Sequence, residues 1–357
     1  MKTKIVLVII IITVILFYGR QPKLIVDDIE MPAAVGYDYI DKDMIQTTAV
    51  LPIYKPDKSI ENKTLSAKGE LSKETLGTLR RKSSRRIENG KLEVAVYSKK
   101  IARHGIGNLL DTLYRDPTIS EKIYLTVVDG QAKTLLNKQF GEVDNGLYLS
   151  ELIEHNMDTG LMPTTNLHYF LSAYFSKISD PFLPLIQKKD DEVNINGIAL
   201  FKGDRYIETL GQNNFFIFKA LIENITLGSY KVRLNKRDNV FIESVYTKHK
   251  FNIHNIKELP KIAIRLNVKG NIKEFTGDKL DQREKIKIEK KMTEQLEKQA
   301  TTMIRSFQKY KIDPIGIGDE VRSRTRNFND QKWLKQYPNV KINVKIHVLI
   351  SEKGVTK

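Results

Sequence analysis

The chain contains no cysteine, and this one absence removes a large share of the chemistry open to a protein of 357 residues. Disulfides, thiolate metal sites, thiol nucleophiles and a lipid-modified N-terminal cysteine are all excluded. Histidine is scarce as well: there are six, and only His249 and His254 lie close together. No HExxH arrangement or carboxylate pair in ligand register accompanies them, so solvated or core-edge roles are expected, and no metal site. The adjacent carboxylates Asp27-Asp28 and Asp190-Asp191 diverge along the chain and are expected to solvate turns. There is no G-x-S-x-G elbow. Ile315-Gly316-Ile317-Gly318 carries part of a dinucleotide-loop pattern, but it follows a helix and a proline where a phosphate loop follows a strand. A tight turn is expected there. No residue is assigned a catalytic, cofactor-binding or metal-binding role.

Acidic charge is in deficit, with 43 Asp and Glu against 59 Lys and Arg and a net charge of +16. In the cytosol such a balance suits nucleic acid; outside a membrane it suits anionic headgroups or an acidic partner. The N-terminus decides between them. Lys2 and Lys4 precede an apolar run made of Ile5, Val6, Leu7, Val8, Ile9, Ile10, Ile11, Ile12, Val14, Ile15, Leu16 and Phe17, and no later stretch is as long or as apolar. This is the layout of a Sec targeting segment, which leaves its lysines inside and sends the rest of the chain across, away from nucleic acid. Phe17-Tyr18-Gly19-Arg20 offers signal peptidase a single small residue, so retention as an uncleaved anchor is expected. About 14 apolar residues make a helix of roughly 21 Å against a hydrocarbon core of roughly 30 Å. Snorkelling by Lys4 and Arg20 and local thinning close that gap.

Downstream, the hydrophobic period alternates between strand and helix. Ile25 to Lys42 and Met44 to Ile53 are expected to pair as a hairpin around the polar turn Asp38 to Asp43. Helices are expected over Glu70 to Arg86, over Gly107 to Tyr114 with a stop at Asp116-Pro117, and from Ala132 to Leu136. Strands are expected at Lys91 to Tyr97 and Ile123 to Val128. This alternation points to a mixed sheet covered by helices. The stretch Ser179 to Asp191 carries Pro181, Pro184 and paired charges, and is expected to be a solvated boundary. Beyond it come a hairpin around Lys202-Gly203-Asp204, a helix from near Gly211, and strands at Tyr230 to Lys250 and Lys261 to Lys269. Met292, Leu296, Gln299, Met303 and Phe307 mark one face of a long amphipathic helix from Arg283 to Tyr310. Val340, Ile342, Val344, Ile346, Val348 and Ile350 alternate with polar residues in a terminal strand with one buried face. Arg80, Arg81, Lys82, Arg85 and Arg86 form the densest basic cluster, expected to be a solvated helix face, with a headgroup-facing patch as the alternative. Arg322, Arg324 and Arg326 are expected to pair locally with Asp319, Glu320 and Asp330.

Several short blocks, in order and spacing, carry a resemblance. They are Ala33-Ala34-Val35-Gly36-Tyr37-Asp38 with Asp41-Lys42, Ile101-Ala102-Arg103-His104-Gly105-Ile106 leading to Leu109-Leu110-Asp111, and Arg115-Asp116-Pro117. Asn196-Gly197-Ile198-Ala199-Leu200-Phe201-Lys202-Gly203-Asp204 follows, and then Asp313-Pro314-Ile315-Gly316-Ile317-Gly318 with Trp333 and the terminal strand. In these the sequence resembles the Ger(x)C family, the C subunit of bacterial spore germinant receptors. The resemblance implies an α+β protein of three domains, each a mixed or antiparallel sheet flanked by helices, after an N-terminal membrane-targeting helix. On this chain those parts are expected as residues 1–20 for the anchor or signal peptide, 23–70 with 190–212, 71–189, and 213–357. It further implies a non-enzymatic protein without cofactor, on the outer face of the spore inner membrane beside integral-membrane A and B type subunits. Family members usually open with a lipobox cysteine followed by Trp-Asp, where this chain has Gly19-Arg20-Gln21-Pro22. Diacylglycerol attachment is therefore excluded, and the apolar run has to anchor alone. Two other classes stay compatible with the residues: an anchored extracellular enzyme with a site assembled from distant positions, and a solute-binding module with a deep cleft.

Overall fold

The computed structural model describes residues 4, 13, 28–42, 44–189, 192–235, 237–254, 259–277 and 279–351. The proposed anchor residues Ile5 to Ile12 and Val14 to Phe17, together with Asp27 and Asp190-Asp191, lie outside the described residues. The architecture is mixed α+β, with several sheets flanked by helices.

Its centre is an eight-stranded sheet in the order β10-β9-β8-β7-β6-β2-β3-β4. Four of its strands run parallel: β2 (Ala34–Asp41), β6 (Val94–Ser98), β7 (Tyr124–Val128) and β8 (Phe182–Lys189). An antiparallel hairpin extends each side, β3 (Met44–Tyr54) with β4 (Ile60–Gly69) and β9 (Glu192–Lys202) with β10 (Arg205–Gly211). The middle strands are apolar on both faces because both faces are covered. Val94 and Val96 point into one core, while Ala95 and Tyr97 point into the other. On the Ala95 face lie α2 (Lys99–His104), α3 (Gly107–Tyr114) and α6 (Leu167–Ser176). On the Val94 face lie α4 (Ala132–Leu136), α5 (Asn145–Asp158) and α7 (Phe215–Ile222). Before all of these helices in sequence, α1 (Ser72–Lys82) covers the β3–β4 hairpin through Leu79, and a short parallel pair joins β1 (Ile29–Glu30) to β5 (Arg86–Ile87).

The segments expected as 23–70 with 190–212 and as 71–189 thus supply one sheet, the first giving its flanks and the second β6, β7 and β8. The expected solvated boundary at Ser179 to Asp191 needs correcting. Phe182–Lys189 is a strand whose residues Leu183 to Ile186 are buried. Pro184 is tolerated because the pairing with β7 begins only at Leu185, so its missing N–H falls before that ladder starts. The expected helix from Gly211 begins later, at Phe215, after a single 3-10 turn.

The apolar layer on the Val94 face continues without a break into a second sheet, ordered β11-β12-β13-β14. It comprises β11 (Tyr230–Arg233), β12 (Asn239–His254), β13 (Lys261–Phe275) and β14 (Lys341–Ser351), so the expected strand at Tyr230 to Lys250 is in fact two strands. β13 and β14 are parallel, which requires a crossover, and the 29-residue helix α8 (Gln282–Tyr310) provides it. Asp281 caps its start by accepting from Arg283 and Glu284 N–H at 3.0 and 2.9 Å. Its buried stripe is Ile288, Met292, Leu296, Ala300, Met303, Ile304 and Phe307, with Ala300 in the place expected for Gln299. Two short helices, α9 (Ile317–Ser323) and α10 (Asp330–Gln336), lead back to β14. As an edge strand β14 exposes a row of N–H groups. Glu297 and Glu289 on α8 accept from Ile346 and Ile350 N–H, each at 2.9 Å, and so close part of that edge.

Candidate interaction surface

Four buried or half-buried carboxylates tie separate parts of the chain together, and each does so by accepting backbone N–H groups. Asp38 receives Ala132 and Lys133 N–H, both at 2.8 Å, and holds the start of α4 against β2. Asp204, at the β9–β10 turn, receives Gly107 N–H at 3.0 Å at the start of α3. Gly105 just before it has φ 114, and a Cβ there would come within 2.7 Å of the Asp204 carboxylate. Asp180 receives Gly203 N–H at 3.0 Å and Asp313 N–H at 2.9 Å. Asp313 in turn receives Ile317 N–H at 3.0 Å and Gly318 N–H at 2.6 Å. The helix start that superficially matches a phosphate loop is therefore already filled by a side chain of the protein. Gly318 is required by packing, since a Cβ would lie 2.6 Å from Trp333 Nε1 and 3.0 Å from the Ile178 carbonyl.

Burial pushes the Asp313 carboxyl up to about 7, against the pull of its two N–H donors and with the charges of Asp180 and Asp319 adding to the rise. Asp180 is raised too, chiefly by burial. A carboxyl whose folded value exceeds its unfolded one holds a proton that the unfolded chain has released. Its stabilisation is complete at acid pH and is lost as pH climbs from about 4 to about 7. We expect wild-type stability to fall over that interval by up to about 4 kcal/mol from this group, order of magnitude. Thermal melts of the wild type and of Asp313→Asn across this range check it: the variant should lack that part of the slope, and parallel pH courses would contradict it.

Helix α6 runs beside this junction and carries aromatic residues on both faces. Asn166 caps its start by accepting Tyr169 N–H at 3.0 Å. Leu167, Phe170 and Leu171 turn inward, and Phe170 meets Phe201 edge-on at 5.3 Å. Outward, Tyr169 is 53% exposed and Phe175 61%, and Tyr114 from α3 joins them at 52%. Phe175 stands 6.4 Å from Tyr114 and 5.1 Å from Tyr174, centroid to centroid. Ser176 fixes the end of the helix by donating to Asp319 at 3.2 Å. Clefts border this ridge. One of ≈ 450 Å³ lies toward α3 and includes His104, Tyr114, Phe175 and Asp204. Another, of ≈ 880 Å³, is lined by Tyr169, Phe175, Ile315 and Arg322, and a third of ≈ 660 Å³ by Tyr174, Lys177, Lys202, Lys311 and Lys335. Exposed aromatic rings grouped on a well-supported helix between concave flanks have the composition and shape of a protein-contact surface.

The residues weighed for chemistry do not meet here. His249 and His254 sit on β12 at an odd spacing, which directs them to opposite faces, and His249 packs against Phe251 at 5.7 Å. Among the described residues no group of three His, Asp or Glu side chains is arranged to hold a metal ion. Arg322 and Arg324 pair locally with Asp319 and Glu320 at 2.6 and 2.7 Å, as expected, while Asp330 stands instead in the first turn of α10. The aromatic ridge was not anticipated: a helix apolar on both faces has no clear period to read.

Residues 22–188 match the family model described as the spore germination protein N-terminal domain. Residues 196–354 match the one described as spore germination B3/GerAC like, C-terminal. The chain is 33% identical over 355 residues to the spore germination protein GerQC of Bacillus cereus, covering 98% of this chain and 99% of that one. Its fold is similar to the crystal structure of the GerBC protein, with TM-score 0.54 and 15% identity over 88% of this chain and 96% of that one. β9 and β10 fall within the C-terminal match yet complete the sheet begun in the N-terminal one, so the two halves fold as interlocking parts. With both family models matched and a whole-length relative at this identity, the chain belongs to the Ger(x)C family of spore germination proteins, a non-enzymatic family.

Proposed function

We propose that this chain is the C subunit of a nutrient germinant receptor, held at the outer face of the spore inner membrane by its N-terminal apolar run. It works through contacts with integral-membrane A and B type subunits and forms or breaks no covalent bond. The observation that carries this reading is the exposed ridge of Tyr114, Tyr169 and Phe175 between its clefts. An enzyme reading would turn to the carboxyls with raised proton affinity: Glu93, which accepts the Ser150 hydroxyl at 2.8 Å, and the hydrogen-bonded pair Asp180 and Asp313. Each of the four carboxyl oxygens of Asp180 and Asp313 already accepts a backbone N–H, so these two groups serve the fold.

Replacing Tyr114, Tyr169 and Phe175 together by serine should leave the fold intact, because surface changes of this kind move stability by about 0.5 kcal/mol or less each. Buried aromatic anchors at protein interfaces are worth about 2 kcal/mol or more apiece. Co-purification of the membrane subunits from dormant spores should therefore drop by more than about tenfold in the triple variant. Recovery equal to wild type, with the same melting temperature, would show that the ridge is not the contact.

A further inference from the structure

The basic cluster at the end of α1 lies at the point where the chain enters the fold. Strand β1 pairs in parallel with β5, and Ile29 stands opposite Arg86. Glu88 N–H donates to the Glu30 carbonyl at 3.0 Å, and Ser83 Oγ donates to the Glu30 carboxylate at 2.5 Å, so β1 is fastened to the loop that carries the cluster. Phe17, the last residue of the apolar run, precedes Ile29 by 12 positions. A chain of that length extends at most about 40 Å. Whatever surface the apolar run enters, the cluster is tethered within that reach of it.

The local acids are largely committed. Glu30 pairs with Lys63 at 3.1 Å and Glu88 with Arg86 at 2.5 Å, while Asp116, against its burial, is kept low by hydrogen bonds from Thr118 and Asn89 and less strongly by Arg80. Arg81 donates to Thr78 and Lys82 to the Ser66 carbonyl, so both retain their charge without a carboxylate. Among the described residues, Arg81, Lys82 and Arg85 are exposed and none forms a salt bridge. We propose that this end of α1 and the turn into β5, with Arg81, Lys82 and Arg85 at its centre, dock on anionic phospholipid headgroups and set the orientation of the exported part. The proposal rests on the reading that the apolar run inserts in the bilayer. The tether then makes the contact intramolecular in effect, so modest attraction per residue suffices.

The absence of cysteine gives a direct test. Full-length chain carrying Ser84→Cys as its sole cysteine is labelled with a fluorophore and reconstituted in phosphatidylcholine vesicles, with or without phosphatidylglycerol. Headgroup-nitroxide lipid then reports proximity by quenching. A second chain with Lys231→Cys carries its label on β11, in the four-stranded sheet packed on the opposite face of the main sheet from α1. The Ser84 label should be quenched with phosphatidylglycerol, far less without it, and less again at high salt; the Lys231 label should be unaffected throughout. Arg81→Gln, Lys82→Gln and Arg85→Gln together should weaken the contact equilibrium by about 100-fold, at about fivefold per basic residue. Quenching that ignores phosphatidylglycerol, or survives the triple substitution, overturns the headgroup site while flotation with the vesicles still supports the anchor. Failure to float with either vesicle overturns the anchor reading, and the proposal with it.

Discussion

Ile346→Asp is expected to destabilise the protein by roughly 4–6 kcal/mol, enough to abolish stable folding in a domain of ordinary stability. Ile346 is 7% exposed, lies opposite Leu266 of β13 and belongs to the core closed by α8. Losing the isoleucine removes about 2–3 kcal/mol of apolar burial. Placing a carboxyl there adds the cost of either protonating it or burying its charge, and no cation of the α8 stripe stands ready to pair with it. The strand has no means of escape by slipping, because a shift of one residue would turn Lys345 and His347 into the core. Chemical denaturation of the variant checks the value. A transition midpoint unchanged from wild type would mean that α8 and β14 do not share a core.

The elements that could be read from sequence are those whose burial is one-sided. β14 alternates cleanly and α8 steps by three and four, and both appear close to their expected limits. Helices α3 and α4 coincide with the expected Gly107 to Tyr114 and Ala132 to Leu136. Where both faces are covered the period fades: Val94 to Ser98 is buried throughout and was legible only as a short apolar run between turns. For β8, proline and the flanking charges outweighed the apolar residues between them. That local signal carries no information about where the neighbouring strand begins to pair. Helix α6 fails in the other direction, because Tyr169 and Phe175 on its outer face hide the inward stripe.

The site was legible as a set of blocks but not as a mechanism. Asp180, Asp204 and Asp313 are far apart in sequence and come together only through the hairpin turn at Gly203 and the helix start at Ile317. Their role is to receive backbone N–H groups at places where chain reversals would leave them unpaired in the interior. Short recurring Asp-Pro and Gly-Asp sequences fit that task. No nucleophile, metal cluster or phosphate loop was read from the residues, and the geometry at Asp313 gives the reason for the last of these.

The largest effect expected is on the spore. On the proposed reading the chain is a non-catalytic subunit, and its loss leaves no residual rate to fall back on, since the complex then lacks an interface and not merely speed. Spores that lack this chain should therefore lose the response to one class of nutrient entirely, while growth, sporulation and receptor-independent germination continue. Restoring the wild-type chain should restore the response, and restoring the Tyr114, Tyr169 and Phe175 triple variant should not. The most direct measurement is nutrient-triggered germination of such deletion spores in a strain where no other receptor can substitute. The account predicts no response to that nutrient class, and a wild-type response would contradict it.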